Sequence, residues 1–415
     1  VNPGGPGGAT RGLIAEGLQE PESRFNKNVM EMYDLIGLDP RGVGTSTPVK
    51  CNPKIFNRRV QTLINSTKTY EAAKRYGQDL GESCASLTGP LIDHLDTIHV
   101  AKDHEVVRRA LGAEQFDFLG LSYGSMIGPT YLELFPNEAG RMVFDGIVDH
   151  SQSEISTLFS EATTFEATLN QFFKWCDSQD DCALKAGIND TKVVFGQITR
   201  NASLSPLPAP ACNNACQPNV TFEDLMIAVQ SSLVSFPEGW VDLATSLAMA
   251  ARGNASAISA SLMTSETPDP DGFSPYASIA IGCQDWKHSG TTEQDLIQRL
   301  EAVKPFVPIT KGVTQSWYYQ SMCIGWPTNT TFPQQPLDRV MVETAPPVLL
   351  VNSVFDPECS IVWANGVREQ LPTAVSITRN GTGHTSHVML GDTRDAIDAF
   401  FATGKLPRDG SIYQS

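Results

Sequence analysis

Gly120-Leu121-Ser122-Tyr123-Gly124 reads G-x-S-x-G, and its surroundings decide the fold. Upstream, Phe116-Asp117-Phe118-Leu119 has the alternating aromatic pattern of a short buried strand. Downstream, Met126, Ile127, Tyr131, Leu132 and Phe135 recur at helical spacing, and Pro136 ends the run. A strand that turns straight into a helix puts the serine in a strained backbone and thrusts its hydroxyl outward. Glycines flank it because side chains there would collide with the strand and the helix. Ser122 is therefore the candidate nucleophile. Pro129 goes against the pattern, since inside the helix it removes a backbone donor and should bend it.

The same alternation extends outward. Residues Met32 to Asp39 read as a strand leading into the loop Pro40-Arg41-Gly42-Val43-Gly44. Val100, Val106, Val107, Ala110 and Leu111 mark a helical face stopped by Gly112, and Arg141 to Asp149 reads as another buried strand. Strand-helix-strand alternation implies a mostly parallel sheet covered by helices. The character changes at residue 151. Leu158, Phe159, Phe165, Leu169, Phe172 and Phe173 take helical spacing, and proline- and cysteine-rich loops follow. Strands return at Pro347 to Asn352 and Ala374 to Thr378, and a last helix runs through Ala396, Ile397, Ala399, Phe400 and Phe401. The expected organisation is α/β: a core over 1–150, a large, mainly helical lid inserted over 151–338, and the rest of the core over 339–415. The chain opens at Val1-Asn2-Pro3 in what reads as a strand end. The reading therefore expects upstream strands, and any targeting sequence, that this chain does not contain.

A serine hydroxyl needs a base, and the base needs an orienting carboxylate. On a sheet of this kind the chain order is serine, acid, histidine, each at the carboxyl end of a strand. Asp356 follows one late strand and His384 the other, so Ser122, Asp356 and His384 form the expected catalytic set. His387 is the alternative base, and Asp145 and Asp149 are alternative acids better read as structural. His94, His99, His104, His150 and His288 have no such context. No metal site is expected, since His384 and His387 have no further ligand cluster near them. The oxyanion needs two donors: the N–H of Tyr123, and one from the loop Asn2 to Gly8, where Gly5 is the candidate. That loop also reads as a flexible linker, but it is not a phosphate loop, for no Gly-Lys-Ser/Thr follows. A histidine base should lose activity as it protonates, and a lid over it should lower its apparent pKa.

Composition narrows the setting. The 415 residues carry a formal charge of −16, which argues against nucleic acid and anionic membranes as partners. Asn-x-Ser/Thr occurs at Asn65, Asn189, Asn201, Asn219, Asn254, Asn329 and Asn380, which favours a secreted protein carrying N-linked glycans. Nine cysteines point the same way. Spacing suggests Cys51 with Cys84, Cys176 with Cys182, Cys212 with Cys216 and Cys283 with Cys323, leaving Cys359 over.

These segments together resemble a known family. The Asn2 to Gly8 loop, Gly37 to Gly44, Gly120 to Ser125, Leu134-Phe135-Pro136, Met142 to Asp149, Cys283, Cys323 with Gly325-Trp326-Pro327, and the Asp356 and His384 segments are similar to the tripeptidyl aminopeptidase branch of the α/β-hydrolases. That branch is related to the prolyl aminopeptidases, which carry His where this loop has Pro3. The resemblance implies a cofactor-free, secreted serine exopeptidase acting on peptide N-termini, with acidic lid groups holding the substrate ammonium. Glu154, Glu161, Glu166 and Glu238 are the lid acids that could serve, and each also reads as a solvated helix charge. A carboxylesterase with the same triad, and a silent binding protein on the same scaffold, are the alternatives.

Overall fold

A ladder of strands that all run the same way forms the centre of the molecule. The structure, a computed structural model, describes residues 1–19, 25–185, 190–288 and 292–414. The strands are β1 (Phe116–Leu121), β2 (Ala139–Asp145), β3 (Leu349–Phe355), β4 (Val375–Thr382) and β5 (Ser411–Gln414). They lie side by side in chain order, and every pair is parallel. Asn2 adds a parallel bridge on the outer side of β1. Its N–H reaches the Leu119 carbonyl at 2.9 Å, and its carbonyl accepts from Leu121 at 2.9 Å.

Alternate strand residues face opposite ways, so both sheet faces must be covered. Before residue 150 the longer helices are α1 (Thr67–Thr88), α2 (Thr97–Ala110) and α3 (Gly124–Leu134). Tyr76 and Leu80 of α1, Val100 of α2 and Ile127 and Tyr131 of α3 pack in one core with Phe118, Met142, Phe144 and Leu350. The helix α3 runs on through Pro129.

Residues 151–338 build α4 (Glu154–Ser178), α5 (Thr191–Leu204), α6 (Phe222–Ser232), α7 (Glu238–Ala251), α8 (Pro275–Asp285), α9 (Glu293–Val303) and α10 (Gln315–Met322). Helices α4 to α7 enclose a core of their own, centred on Phe165, Phe172, Leu225 and Trp240. Each large apolar side chain buried this way contributes about 1.5–3 kcal/mol. Helix α8 packs instead in the sheet's core through Tyr276, Ile279 and Ile281. After β3 and β4 come α11 (Ile361–Gln370) and α12 (Asp392–Thr403). Ile397, Phe400 and Phe401 of α12 cover the second sheet face over Leu119, Val143, Leu349 and Ile377.

One expected strand is absent. Residues 27–32 form a short helix, and 33–40 run on without regular structure. The alternating pattern is there, but a strand needs a ladder partner. Among the described residues only the Val1 amine reaches the segment's middle, at 3.3 Å from the Ile36 carbonyl. Strand β5, conversely, was not foreseen. The four cysteine pairs suggested by spacing are all formed, and Cys359 is free and buried.

Candidate active site

The turn between β1 and α3 is as tight as its sequence requires. Ser122 sits at φ 57°, in the left-handed region. For a residue with a side chain this costs about 1–3 kcal/mol and is held by its surroundings. Ser122 N–H donates to the Asp145 carbonyl at 2.9 Å, and Ser125 N–H to the Ser122 carbonyl at 2.8 Å. A Cβ on Gly120 would stand 2.4 Å from the Gly124 carbonyl, and one on Gly124 would stand 2.7 Å from the Asn2 carbonyl. Only glycine fits at either place.

The acid and the histidine meet across the ends of β3 and β4. Asp356 is fully buried, and both its oxygens lie 2.8 Å from Nδ1 of His384. Its Oδ1 also accepts from the N–H groups of Glu358 at 2.9 Å and Cys359 at 2.8 Å. The histidine loop is pinned from three sides. His384 N–H donates to the Val234 carbonyl at 2.9 Å. Arg379 donates to the carbonyls of Thr382 and Gly383 at 2.7 and 2.8 Å. Asp145 accepts from the N–H groups of Ser386 and His387 at 2.6 Å each.

Nε2 of His384 makes no hydrogen bond among the described residues, and Glu358 Oε2 lies 3.6 Å from it. Burial works against a charged ring here, but Asp356, then Glu358 and Asp145, outweigh it and push the histidine up to about 9. The expectation of a lowered histidine pKa is therefore corrected, because the neighbouring carboxylates win over desolvation.

Gly5 and Tyr123 line one pocket with Ser122. Among the described residues neither N–H of the two donates a hydrogen bond within the protein. Gly4 packs between them, where a Cβ would come within 2.9 Å of the Ser122 Cβ. The Tyr123 phenol donates to Asp285 Oδ2 at 2.5 Å and meets Thr97 Oγ1 at 2.6 Å. Asp285 also accepts from Thr97 N–H at 2.8 Å. Burial pushes this carboxyl up to about 7, with the Tyr123 and Thr97 hydrogen bonds opposing it. The sequence reading did not reach this anchor, which holds the residue after the serine from below.

Two family models match the chain. One, described as alpha/beta hydrolase fold, covers residues 1–186, and the other, described as TAP-like protein, covers residues 308–412. The chain has the α/β-hydrolase fold and is similar to the tripeptidyl aminopeptidase-like branch of that fold. It is a serine hydrolase. Among its relatives is a tripeptidyl aminopeptidase of Streptomyces lividans, 26% identical over 97% of this chain and 74% of the relative. The serine protease Hip1 of Mycobacterium tuberculosis is 26% identical over 99% of this chain and 79% of its own. A carboxylesterase B of the same organism is 27% identical over 98% and 78%.

The hydrolase treats the glutamates of its helical region unequally. Glu154 lines the pocket but is ion-paired to Arg299 at 2.7 Å and faces His288 at 2.9 Å. Glu161 also lines the pocket, accepting from Gln230 at 2.8 Å, Gln315 N–H at 3.1 Å and Ser316 N–H at 2.9 Å. No cation pairs with it among the described residues. Burial pushes Glu161 up to about 7 against those hydrogen bonds, and Glu358 raises it further. Glu166 lies outside the pocket, accepting from the N–H groups of Ile309 and Thr310 at 3.1 and 3.0 Å. Glu238 is exposed in the first turn of α7.

Glu358 is the pocket carboxylate that the sequence reading missed. It lies two residues past Asp356, and that spacing was its only signal.

The other candidates are held in contacts of their own, although Asp149 and His288 also line the pocket. His387 faces Asp398 at 3.4 Å, and Asp149 accepts from Ser151 at 2.7 Å and from Gln152. The ligand atoms of Cys283, His288 and Cys323 cluster within 4.8 Å, but both sulfurs are consumed in a disulfide. Asn65, Asn201, Asn329 and Asn380 are exposed, Asn219 and Asn254 half-buried, and Asn189 lies outside the described residues.

Proposed function

We propose that this hydrolase is a secreted serine exopeptidase that releases short peptides from free N-termini. One observation carries the reading: Glu161 and Glu358 line the same pocket as Ser122, and neither has a lysine or arginine partner among the described residues. Two largely buried carboxylates with no lysine or arginine beside them are costly, and a substrate ammonium supplies a fixed positive charge for both. The name of the Streptomyces relative supports a tripeptide as the released unit. Four disulfides, and six described sequon asparagines that are exposed or half-buried, support the secreted setting. The reading includes N-linked glycans and a peptide substrate, and neither nucleic acid, nor membrane, nor cofactor.

In this mechanism His384 Nε2 takes the Ser122 proton as Oγ attacks the peptide carbonyl. Asp356 holds Nδ1–H and stabilises the ring as it becomes charged. The N–H groups of Gly5 and Tyr123 receive the oxyanion. His384 gives its proton to the leaving amine, and water then repeats the sequence on the acyl-enzyme.

The test compares a free-amine tripeptide anilide, its N-acetylated twin and a short-chain ester. The reading expects the free amine to be preferred by at least about tenfold in kcat/KM. Turnover of the ester alone would instead make the protein a carboxylesterase.

A further inference from the structure

The acid loop carries two carboxylates, and the histidine stands between them. Asp356 takes Nδ1 with both oxygens. The one ring nitrogen left is Nε2, which Ser122 needs, and Glu358 Oε2 lies 3.6 Å from it. That distance suits an ion pair and is too long for a hydrogen bond. The Glu358 side chain is largely buried and has no other charged partner among the described residues. Glu154, in the same pocket, shows the contrasting arrangement, for Arg299 and His288 neutralise it.

We propose that Glu358 is a substrate-responsive brake on His384: its carboxylate holds the charged imidazole in the free enzyme, and the ammonium of a bound substrate takes that carboxylate over. The inference rests on the free-N-terminus reading above. The groups around the ring make it work. Asp356 and Glu358 face it from the loop after β3, where the neutral thiol of Cys359 meets Ser122 instead. Asp145 faces it from the end of β2, Arg379 braces its loop from β4, and Glu161 stands behind Glu358 on α4.

This set holds more negative charge than one imidazolium and one guanidinium balance. It keeps the free histidine protonated up to about 9. An ammonium seated against Glu358 and Glu161 removes the reason for that proton. Nε2–H then passes its proton to solvent water, no other bond changes, and the neutral ring can accept from Ser122. Catalysis is thereby tied to the substrate's N-terminus through the base as well as through binding.

The experiment follows rate against pH for the wild type and Glu358→Gln on three probes: a free-amine tripeptide anilide, its N-acetylated twin and 4-nitrophenyl acetate. In the wild type with the free amine, the acid limb of kcat should lie about one unit below that of kcat/KM, since only kcat reports the occupied enzyme. With the acetylated peptide and the ester the two limbs should coincide at the higher value. In Glu358→Gln the ester limb should move down by about one unit, and the free-amine preference should fall about tenfold. Coincident limbs for the free amine in the wild type would overturn the proposal, as would an ester limb that Glu358→Gln leaves in place. A wild type with no free-amine preference removes the exopeptidase reading itself, and the ester limb then still reports whether Glu358 holds His384. Fluorophosphonate labelling and a thermal melt of the variant show that it has folded.

Discussion

The rim of the sheet and the helices above it solve different problems with the same kinds of residue. At the rim, position comes from the backbone. Ser122, Asp356 and His384 each follow a strand, and the loops holding them are fixed by hydrogen bonds to main-chain groups. In the helical region, position comes from side-chain packing, and a glutamate's fate depends on what happens to lie opposite. Of three glutamates on α4, Glu154 meets an arginine, Glu166 meets two loop N–H groups, and Glu161 meets only neutral donors. Chemistry can be invariant at the rim while recognition is rewritten above it.

The largest expected effect lies at the rim. Ser122→Ala and His384→Ala should each lower kcat by about 10⁴-fold or more, and Asp356→Asn by about 10⁴-fold, with little change in KM. A residual rate above these in any one variant would break the claim that the three act as a unit.

The disulfides divide along the same line. Cys51–Cys84 and Cys283–Cys323 lie in the sheet's core and close segments of 33 and 40 residues. Cys176–Cys182 and Cys212–Cys216 lie in the helical region and close segments of 6 and 4. Loop-closure entropy gives about 4 kcal/mol for each long bridge and about 2 kcal/mol for each short one. Denaturant melts of the paired Cys→Ser variants should rank in that order, and equal losses would contradict the entropic account.

Within α4 the comparison sharpens to two glutamates. Glu161→Gln should cut the free-amine preference about tenfold, through KM. Glu166→Gln should leave both kinetic constants unchanged and cost about 1–2 kcal/mol in stability, because it weakens acceptance from two N–H groups. Interchanged results would mean that the pocket is read from the wrong wall.

The smallest effect is a drift of stability with pH. Glu161 and Asp285 are raised by burial to about 7, and His384 by its carboxylates to about 9. Each therefore holds its proton more tightly folded than unfolded. Their contribution is present at low pH and is lost as pH rises, from the ordinary carboxylate range to about 7 for the two acids and from 6.5 to about 9 for the histidine. Thermal melts should thus decline from pH 7 to pH 9, whereas below that His104 and His150, lowered by burial to about 4, gain stability as pH rises and offset the two acids. A maximum at pH 8 would contradict these assignments.

The sheet was legible because strand and turn residues carry their own instructions. Gly120 and Gly124 announced the bend at Ser122, and the hydrophobic runs before Asp356 and His384 placed both at strand ends. The segment at 32–39 misled because its pattern describes a strand's faces and says nothing of a ladder partner. The pocket was only half legible. Glu161 was named beside Glu166 and Glu238 with nothing to separate them, since helical spacing does not reveal what faces a side chain across a gap. Glu358 was overlooked because its role depends on a histidine 26 positions later folding back to within 3.6 Å. The Asp285–Tyr123–Thr97 anchor joins residues too far apart in sequence for any local pattern.

The central claim is that the hydroxyl raised at the end of β1 is the attacking group. Intact-mass and peptide mapping after a fluorophosphonate reaction test it most directly. The account predicts a single adduct, located on Ser122, that is absent from Ser122→Ala and nearly absent from His384→Ala. An unreactive wild-type protein, or an adduct on any other residue, would contradict it.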